Sequence, residues 1–559
     1  MPVTLSPSGY FLRGGRHVLP VGVNYWPASC GVEMWAQWPE EEIKADLDCV
    51  ASLGLNCVRF FLRWPDFEPR LGVYNPVMFD RLRALTGWCA ERGLLAHPAL
   101  VTGFMSGGHF WPEGKGSRNL YSDPEISARA CQFCHHAAEA LAPFHGHILA
   151  LDLGNELGCA DAWGAASPDA IRDWCGRVTR AIRSAYPGAL IVSGTDSGIV
   201  TNDSGWRLGA QPGTDFYSVH TYPVPNWNVI PFDGMADPLC RDILPYCTLA
   251  ARSFGPVMAQ EFSTIITHGI DRASAYLQHV LNECFANGAN GFLWWCLRDV
   301  TTTAHPYERC PFETRLGLVD AGRRVKPQTR HLLDLLLRLR DTPPPKQNPC
   351  GIALYLPREY YHRDNPRNPG NDTPSLARRN TVAYHFLRQL GHRPSIHRAD
   401  TPFAPETKTL VIAGAALTRT EIDALLPWVE AGGKLVWSAP PWPVWSAAAD
   451  TLIGAQPVDI RFAKPVTVRA FGEDWTIRHH PAEGRTAAQL LAAKPLALGD
   501  DGEAEILLND CGKGRVVTIL PLAEETIAHT AHDLPARNRW RNWYAGLLNA
   551  LEGGCPQPP

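Results

Sequence analysis

The chain has 559 residues, too many for one ordinary hydrophobic core, and this length predicts roughly two to four domains. Its 52 Lys and Arg nearly balance its 56 Asp and Glu, and no basic tract is longer than a few residues. A nucleic acid or an anionic membrane would therefore find little electrostatic attraction, and we expect a neutral small molecule as the partner. Nineteen Trp residues favour a site with flat apolar walls.

The first residues, MPVTLSPSGYFLRGG, lack the basic start and apolar stretch of a secretory signal. No apolar run approaches the roughly 18 residues of a membrane span. The 16 Cys are scattered through helix and strand patterns, which is typical of reduced thiols rather than of a disulfide framework. We expect a soluble, cytoplasmic protein with no membrane partner, and a secreted protein whose signal has been removed is the open alternative.

From residue 18 to about 300, short apolar runs alternate with amphipathic stretches such as EEEIKADLDCVASLG. The eight predicted strands are LPVGVNYW, NCVRFFL, LLAHPALV, ILALDLGNE, ALIVSGTD, FYSVHTYP, PVMAQEFS and GFLWWCLRD. Eight β-α units in this length predict a closed parallel barrel, a (β/α)8 TIM barrel over residues 1–340, rather than an open sheet.

The segment DTPPPKQNP breaks both periodicities and predicts a linker near residue 345. A second α/β pattern follows over residues 346–559, with predicted strands CGIALYLP, TLVIAGA, KLVWSAP and RVVTILP. Helical segments such as RTEIDALLPWVEAGG alternate with them, which predicts a flavodoxin-like α/β domain. We expect a β-rich insertion at about residues 450–510.

The dipeptide Asn-Glu occurs twice in the chain. Asn155 and Glu156 follow an apolar strand, so their side chains are predicted at the end of a parallel strand. Asn282 and Glu283 lie where apolar residues recur at helical spacing, and this pattern predicts a solvated helix face.

Two carboxylates stand at matching strand ends. In a (β/α)8 barrel the working residues lie at the carboxyl ends of the strands, where Glu156 ends the fourth predicted strand and Glu261 the seventh. These ends face each other across the barrel mouth. Such a pair suits glycoside hydrolysis, because one carboxyl group protonates the leaving oxygen while the other stabilises or bonds to the anomeric carbon.

Other strand ends supply groups that would serve this pair. His220 and Tyr222 are two residues apart and share one side of an extended strand, where Tyr222 would donate to Glu261 and keep it ionised. Arg59 lies in a strand interior and needs a carboxylate partner such as Glu261. Of two consecutive tryptophans at the end of the eighth strand, we expect Trp295 to face inward as a wall under a sugar ring.

The segments GLNCVRF, LDLGNE, VHTYP, AQEFS and GFLWWCLRD occur in the order found in clan A glycoside hydrolases, and residues 15–335 most resemble glycoside hydrolase family 5. The resemblance implies a general acid/base at Glu156, a nucleophile at Glu261 and, at Asn155, a donor to the 2-hydroxyl of the substrate. It also implies that Arg59, His220 and Tyr222 position these groups and that Trp295 forms the floor of the subsite.

The substrate-binding histidine that the family often has after strand three has no clear counterpart, because neither His97 nor His109 aligns cleanly. The stretch PALVTGFMSGGHFWP is similar to a loop in the β-mannosidase-like members. We therefore expect a retaining β-glycosidase that trims short oligosaccharides from the non-reducing end, preferably a β-mannosidase. The alternatives are a β-galactosidase or β-glucosidase, an endo-mannanase or cellulase, and an inactive sugar-binding protein.

The tail resembles the glutamine-amidotransferase-like domain of family 42 β-galactosidases, which implies a homo-oligomer, most simply a trimer. It lacks a Cys nucleophile on a strand-helix turn, so we expect no amidotransfer. The run CQFCHH offers Cys131, Cys134, His135 and His136, but consecutive histidines on a helix diverge by about 100°, so we expect no metal site there and no cofactor.

Overall fold

The computed structural model describes residues 1–161, 166–265, 269–345, 351–362, 372–438, 446–479, 484–530 and 533–553. The chain divides into two compact units, one formed by Met1–Val224 with Ile243–Gln347 and the other by Pro225–Asp242 with Asn348–Pro559. Within the described ranges, no helix has the length and apolar character needed to cross a membrane.

The first unit contains the predicted barrel, preceded by a small antiparallel sheet of β1 (Val3–Leu5), β2 (Phe11–Arg13) and β3 (Arg16–His17). The eight barrel strands are β4 (Val21–Tyr25), β5 (Cys57–Arg63), β6 (Leu95–Thr102), β9 (Leu151–Gly154), β10 (Ile191–Val192), β11 (Tyr217–Thr221), β12 (Val257–Phe262) and β13 (Ala289–Trp294). Neighbours pair in parallel, β13 pairs with β4, and a bridge between Val192 and Phe216 joins β10 to the start of β11. The prediction of a (β/α)8 barrel is confirmed.

Helices, the longer of them amphipathic, connect the barrel strands. They are α1 (Met34–Gln37), α2 (Glu40–Ser52), α3 (Trp64–Phe67), α4 (Pro76–Glu91), α5 (Pro124–Leu141), α6 (Leu157–Ala160), α7 (Pro168–Ala185), α8 (Gly198–Thr201), α9 (Pro238–Arg252), α10 (Ile270–Ala286) and α11 (Pro327–Arg340). Three long helices begin with proline after a residue whose side chain accepts a backbone N–H, namely Asn75, Asp123 and Ser167. Proline at the first position suits a helix start because its missing N–H would have no helical partner there.

The expected solvated face of α10 is wrong at Glu283, which is buried. Glu283 lies three residues after Val280 and seven after Tyr276, and both of these are buried too. Residues at these spacings share one side of a helix, so the carboxylate falls on the flank that packs inward. A charged residue in an amphipathic pattern therefore does not by itself mark the exposed face.

The second unit is built on a seven-stranded sheet in the order β15-β14-β16-β17-β24-β23-β22, of which the first five strands are parallel. Its strands are β14 (Ile352–Leu356), β15 (Ser395–Arg398), β16 (Thr409–Ile412), β17 (Lys434–Ser438), β18 (Ala455–Arg461), β19 (Val466–Ala470), β20 (Glu473–Ile477), β21 (Arg485–Leu490), β22 (Lys494–Leu498), β23 (Ala504–Cys511) and β24 (Gly514–Ile519). Its helices are α12 (Arg358–Tyr361), α13 (Thr373–Gln389), α14 (Arg419–Glu430), α15 (Ala447–Ile453), α16 (Ala523–His529) and α17 (Leu534–Leu551).

The flavodoxin-like pattern and the β-rich insertion are therefore confirmed, with one addition. The insertion forms two antiparallel ribbons, β18 with β21 and β19 with β20, but its later strand β22 pairs with β23 and extends the main sheet. Much of the predicted linker falls on residues 346–350, which lie outside the described residues.

Candidate active site

The two candidate carboxylates lie where the barrel strands end. Glu156 follows β9 and precedes α6, and its φ of 44° places it in the left-handed region. Non-glycine residues rarely adopt this conformation, and such outliers cluster at functional sites. Glu261 is in β12 and pairs in register with His220 of β11. One carboxylate oxygen of each glutamate and a ring nitrogen of His220 all lie within 4.8 Å of one another.

Arg59 is completely buried below the carboxylates and holds four side chains. Its Nη1 donates to Glu261 Oε1 at 2.5 Å, and its Nε donates to Asp152 Oδ2 at 2.9 Å. The remaining bonds go to the side-chain oxygens of Asn24 and Asn155, both at 3.0 Å. A buried arginine with two carboxylates and two amides around it has its charge compensated, and its planar donors fix the orientation of every partner.

Glu261 accepts bonds on both oxygens, because Tyr222 donates its hydroxyl to Oε2 at 2.8 Å while Arg59 holds Oε1. Burial raises the pKa of Glu261, while the positive charges of His220 and Arg59 and the Tyr222 bond oppose that rise. The sequence-based expectation that the Tyr222 hydroxyl keeps Glu261 ionised is correct for the contribution of that hydrogen bond, but the net pKa of Glu261 is raised because burial outweighs it.

His220 connects Glu156 to the barrel interior. Its Nδ1 lies 3.1 Å from Glu156 Oε1 and its Nε2 lies 2.9 Å from Gln260 Oε1. Burial disfavours the charged ring, but the negative charges of Glu261 and Glu156 outweigh it and raise the pKa of His220. The three donor atoms of Glu156, His220 and Glu261 are close enough to surround a cation, yet each side chain already has hydrogen-bond partners in this network.

Sequence reasoning missed Gln260 and Asp152, which lie beneath the carboxylates. Gln260 Nε2 lies 2.9 Å from Asp152 Oδ2 and 2.8 Å from His97 Nε2. The other ring nitrogen of His97 bonds the carbonyl of Ala150 at 2.9 Å, and burial lowers the pKa of His97 to about 4. His97 is therefore a neutral histidine of the barrel interior.

Trp295 and its neighbours form an aromatic wall. Its ring meets that of Phe61 edge-on, with centroids 5.8 Å apart, and Phe61 stacks on Trp26 at 5.4 Å. Trp295 Nε1 donates to Glu313 Oε2 at 2.9 Å, and Ser106 donates to the other oxygen of Glu313 at 2.8 Å. Glu313, in a 3-10 helix over Pro311–Arg315, was not predicted, and burial raises its pKa to about 7.

A further carboxyl group, Asp196, follows β10 at the same end of the barrel. Burial and then the negative charge of Glu156 raise its pKa to about 7. The chain before it passes close to β9, because a Cβ at Gly194 would lie 2.0 Å from the carbonyl oxygen of Gly154. Asp196 ends the predicted fifth strand, so the strand-end rule that found Glu156 could also have found it.

The structure thus brings together all seven residues singled out from the sequence. Beyond the six discussed above, Asn155 donates its amide to Phe104 O at 3.2 Å and accepts from Arg59. The second histidine candidate, His109, is exposed on a hairpin of β7 (Phe104–Met105) and β8 (Gly108–His109), with Nε2 3.3 Å from Cys159 O. Neither histidine candidate joins the carboxylates directly.

The CQFCHH run lies in α5 and its histidines diverge. His135 Nδ1 bonds Ser184 Oγ at 3.0 Å, whereas the ring of His136 packs edge-on against Tyr74 with centroids 4.7 Å apart. Cys134 is buried while Cys131 is half-buried. The two imidazole rings still meet edge-on, with centroids 5.8 Å apart, but their other contacts, Ser184 for His135 and Tyr74 for His136, are different.

Several known proteins resemble the chain in fold. The model of a domain of unknown function, DUF4350, matches residues 381–521. A GH5_18 protein from Streptomyces cattleya, solved with GlcNAc, is 24% identical, has a TM-score of 0.60 and covers 68% of this chain and 94% of its own. The β-galactosidase of Rahnella sp. R3 is 14% identical, with a TM-score of 0.70 over 95% of this chain and 90% of its own. No curated protein matches the sequence.

A (β/α)8 barrel whose mouth holds a carboxyl pair, a buried arginine and a tryptophan wall defines a glycosidase. The exo-β-1,4-mannosidase Op5Man5 from Opitutaceae bacterium strain TAV5 is 41% identical, with a TM-score of 0.92 over 97% of this chain and 99% of its own. The chain belongs to the same family of glycoside hydrolases as that enzyme.

Proposed function

We propose that the protein is a retaining exo-β-mannosidase of glycoside hydrolase family 5, which releases mannose from the non-reducing end of short β-linked oligosaccharides. The retaining mechanism is supported above all by the spacing of Glu156 and Glu261, whose nearest carboxylate oxygens are within 4.8 Å of each other. Retaining glycosidases hold their carboxyl groups about 5 Å apart, whereas inverting enzymes need a wider gap for a water molecule.

In the first step Glu156 gives its proton to the glycosidic oxygen while a carboxylate oxygen of Glu261 bonds to the anomeric carbon. The bond from that carbon to the glycosidic oxygen breaks, and the shortened sugar leaves as an alcohol. In the second step Glu156, now a carboxylate, takes a proton from water. The water oxygen bonds to the anomeric carbon and Glu261 leaves as a carboxylate, so configuration is retained after two displacements.

The surrounding contacts support these roles. Arg59 and Tyr222 each hold one oxygen of Glu261, which fixes the carboxylate for attack and compensates its charge when the sugar departs. Asn155, held by Arg59, is proposed to bind the 2-hydroxyl of the sugar, and Trp295 to form the floor of the subsite. His220 bonds Glu156 and would orient it toward the glycosidic oxygen.

The sugar is proposed from the likeness to Op5Man5, which extends over 97% of this chain. A β-galactosidase shares the fold at 14% identity, and β-galactosidase or β-glucosidase activity is the second candidate. A panel of nitrophenyl β-glycosides should show hydrolysis of the mannoside well above the galactoside and glucoside. Preference for another sugar would overturn the substrate assignment, and activity on none of them would favour an inactive sugar-binding protein.

The roles of the glutamates can be tested separately. Glu261→Ala and Glu156→Ala should each lower turnover by several orders of magnitude while the protein stays folded. Azide should rescue Glu156→Ala on an activated substrate and give a glycosyl azide of retained configuration, because the anion attacks the anomeric carbon in place of water, displaces the Glu261 carboxylate and needs no base to remove a proton. A 2-fluoro glycoside should label Glu261. Near-normal activity in either variant would remove that residue from its role.

Residues 346–559, which supply most of the second unit, are proposed to be an amidotransferase-like oligomerisation domain that follows a catalytic domain over 1–340 and makes the protein a trimer. Exposed apolar side chains on and beside the β18–β21 ribbon support an interface: Val458, Ile460, Phe462, Leu490 and Leu491. A cytoplasmic location is proposed as well, supported by the free thiols of all 14 cysteines within the described residues.

A further inference from the structure

We propose that Gln260 is a positioning residue which fixes the tautomer of His220 and thereby keeps the acid Glu156 protonated for the first step. The inference rests on the proposed function, because it concerns the proton that Glu156 delivers. Gln260 lies next to Glu261 in sequence and is completely buried.

The orientation of the Gln260 amide follows from its neighbours. Asp152 Oδ2 accepts two contacts from the Arg59 guanidinium, the shortest at 2.8 Å, so this oxygen is an acceptor toward its other neighbours too. Only the NH₂ of Gln260 can face it, and the measured 2.9 Å from Nε2 to Asp152 Oδ2 agrees. The same NH₂ group donates to Nε2 of neutral His97. The amide oxygen is left facing His220.

This orientation fixes one proton on His220. An amide oxygen only accepts hydrogen bonds, so the 2.9 Å contact requires His220 Nε2 to carry a hydrogen. A neutral His220 then has a bare Nδ1, which faces Glu156 Oε1 at 3.1 Å. A bond between them needs one proton, held either by Glu156 as O–H or by His220 as the charged ring. The contact between His220 Nδ1 and Glu156 Oε1 therefore holds one proton between the two side chains.

Without Gln260 the other neutral tautomer becomes available. A His220 with hydrogen on Nδ1 and a bare Nε2 would donate to the Glu156 carboxylate and stabilise its ionised form. The acid would then lose its proton at lower pH, and the first step would suffer because the leaving oxygen needs that proton. The second step would suffer less, since Glu156 acts there as a base.

Substitution of Gln260 also removes the bonds of its amide to Asp152 and His97. These two groups belong to a larger set of charged or titratable side chains around Gln260 and the Glu156–His220 pair. They are Arg59, His97, Asp152, Cys159, Asp196, Tyr222, Glu261 and Glu313. Loss of the neutral amide changes the polarity around these groups, and that change alone can shift the pH profile. Matched control variants are therefore needed to identify the effect of the His220 tautomer.

The test is Gln260→Met, which keeps the length of the side chain and removes both the acceptor and the donors. The kcat/KM values should be measured for aryl glycosides of whichever sugar the wild-type enzyme hydrolyses, with phenol and with 2,4-dinitrophenol as leaving groups. We expect a loss of about tenfold to a hundredfold on the phenyl glycoside, which needs the acid, and little loss on the dinitrophenyl glycoside. The alkaline limb of the pH profile should move to lower pH.

Two variants separate this role from a structural one. His97→Met removes a polar side chain from the same buried cluster but leaves Gln260 held by Asp152, so it should keep the wild-type dependence on leaving group. In Gln260→Glu a protonated carboxyl group can donate to Asp152 and keep its other oxygen facing His220 Nε2, so this variant should restore that dependence too. Equal losses on both substrates with an unmoved pH profile would overturn the inference. Absence of wild-type activity on every glycoside would instead refute the proposed function.

Discussion

The buried carboxyl group of Glu313 should make the protein less stable as pH rises. Burial raises its pKa from the ordinary 4.5 to about 7, although Trp295 and Ser106 donate to it. A carboxyl group with a raised pKa binds its proton more tightly in the folded state. Its destabilising effect is therefore absent below pH 4.5, grows as pH rises from 4.5 to 7, and is complete above 7.

The variant Glu313→Gln should remove this pH dependence. When Glu313 is ionised in both the folded and the unfolded state, its burial lowers the free energy of unfolding by about 3 kcal/mol. About 2.5 kcal/mol of this loss develops between pH 5 and pH 8.5. Glutamine keeps the shape, because its oxygen can accept from Trp295 while its NH₂ group donates to the Ser106 hydroxyl, which can rotate to accept. The variant should therefore gain stability relative to wild type as pH rises.

The assay is urea unfolding of the full-length wild type and variant at pH 5 and pH 8.5, comparing the two differences in free energy of unfolding. Glu308→Gln makes the same change on a side chain that is 52% exposed in the same loop, and its stability relative to wild type should not change with pH. If the difference in free energy of unfolding between Glu313→Gln and wild type is the same at both pH values, burial does not perturb the carboxyl group and the prediction is wrong.

Three further outcomes are expected. Tyr222→Phe removes a hydrogen bond to the charged Glu261, worth about 1.5–3 kcal/mol, so kcat should fall by about tenfold to a hundredfold, and an unchanged kcat would contradict the role. Arg537→Met leaves the buried Asp237 without its ion-pair partner and should cost about 3–5 kcal/mol in urea unfolding, so a loss below about 1 kcal/mol would refute the pairing. Light scattering should report a trimer that Phe462→Glu dissociates, and a monomeric wild type at micromolar concentration would rule the trimer out.

The barrel and most of the site could be predicted because they follow from one geometric rule. Apolar runs of strand length, separated by amphipathic helices, define eight parallel strands, and the carboxyl ends of such strands meet at one mouth. Glu156, Glu261 and Tyr222 were found by inspecting those ends, and the structure brings them together. Their chemical roles rest on the proposed function.

Gln260 could not be found in this way, because neighbouring residues of a regular strand point to opposite faces. Where β11 pairs with β12, Val219 is opposite Ala259 and His220 is opposite Glu261, so Gln260 is an additional residue in β12. Such a bulge redirects a side chain and has no signature in the hydrophobic pattern.

Glu313 was missed for a different reason. It lies in a loop beyond the last barrel strand, 18 residues after the tryptophan that it holds, and no periodicity links the two positions. Loops carry function without a repeating pattern, so only the folded chain reveals such a contact.

Double displacement by Glu261, with Glu156 as acid and base, is tested most directly by the stereochemistry of the first-formed sugar. Proton NMR recorded during rapid hydrolysis of an aryl β-mannoside should show the β anomer of mannose first, followed by slow mutarotation to the equilibrium mixture. An initial α anomer would mean single displacement by water and would contradict the assignment of Glu261 as nucleophile.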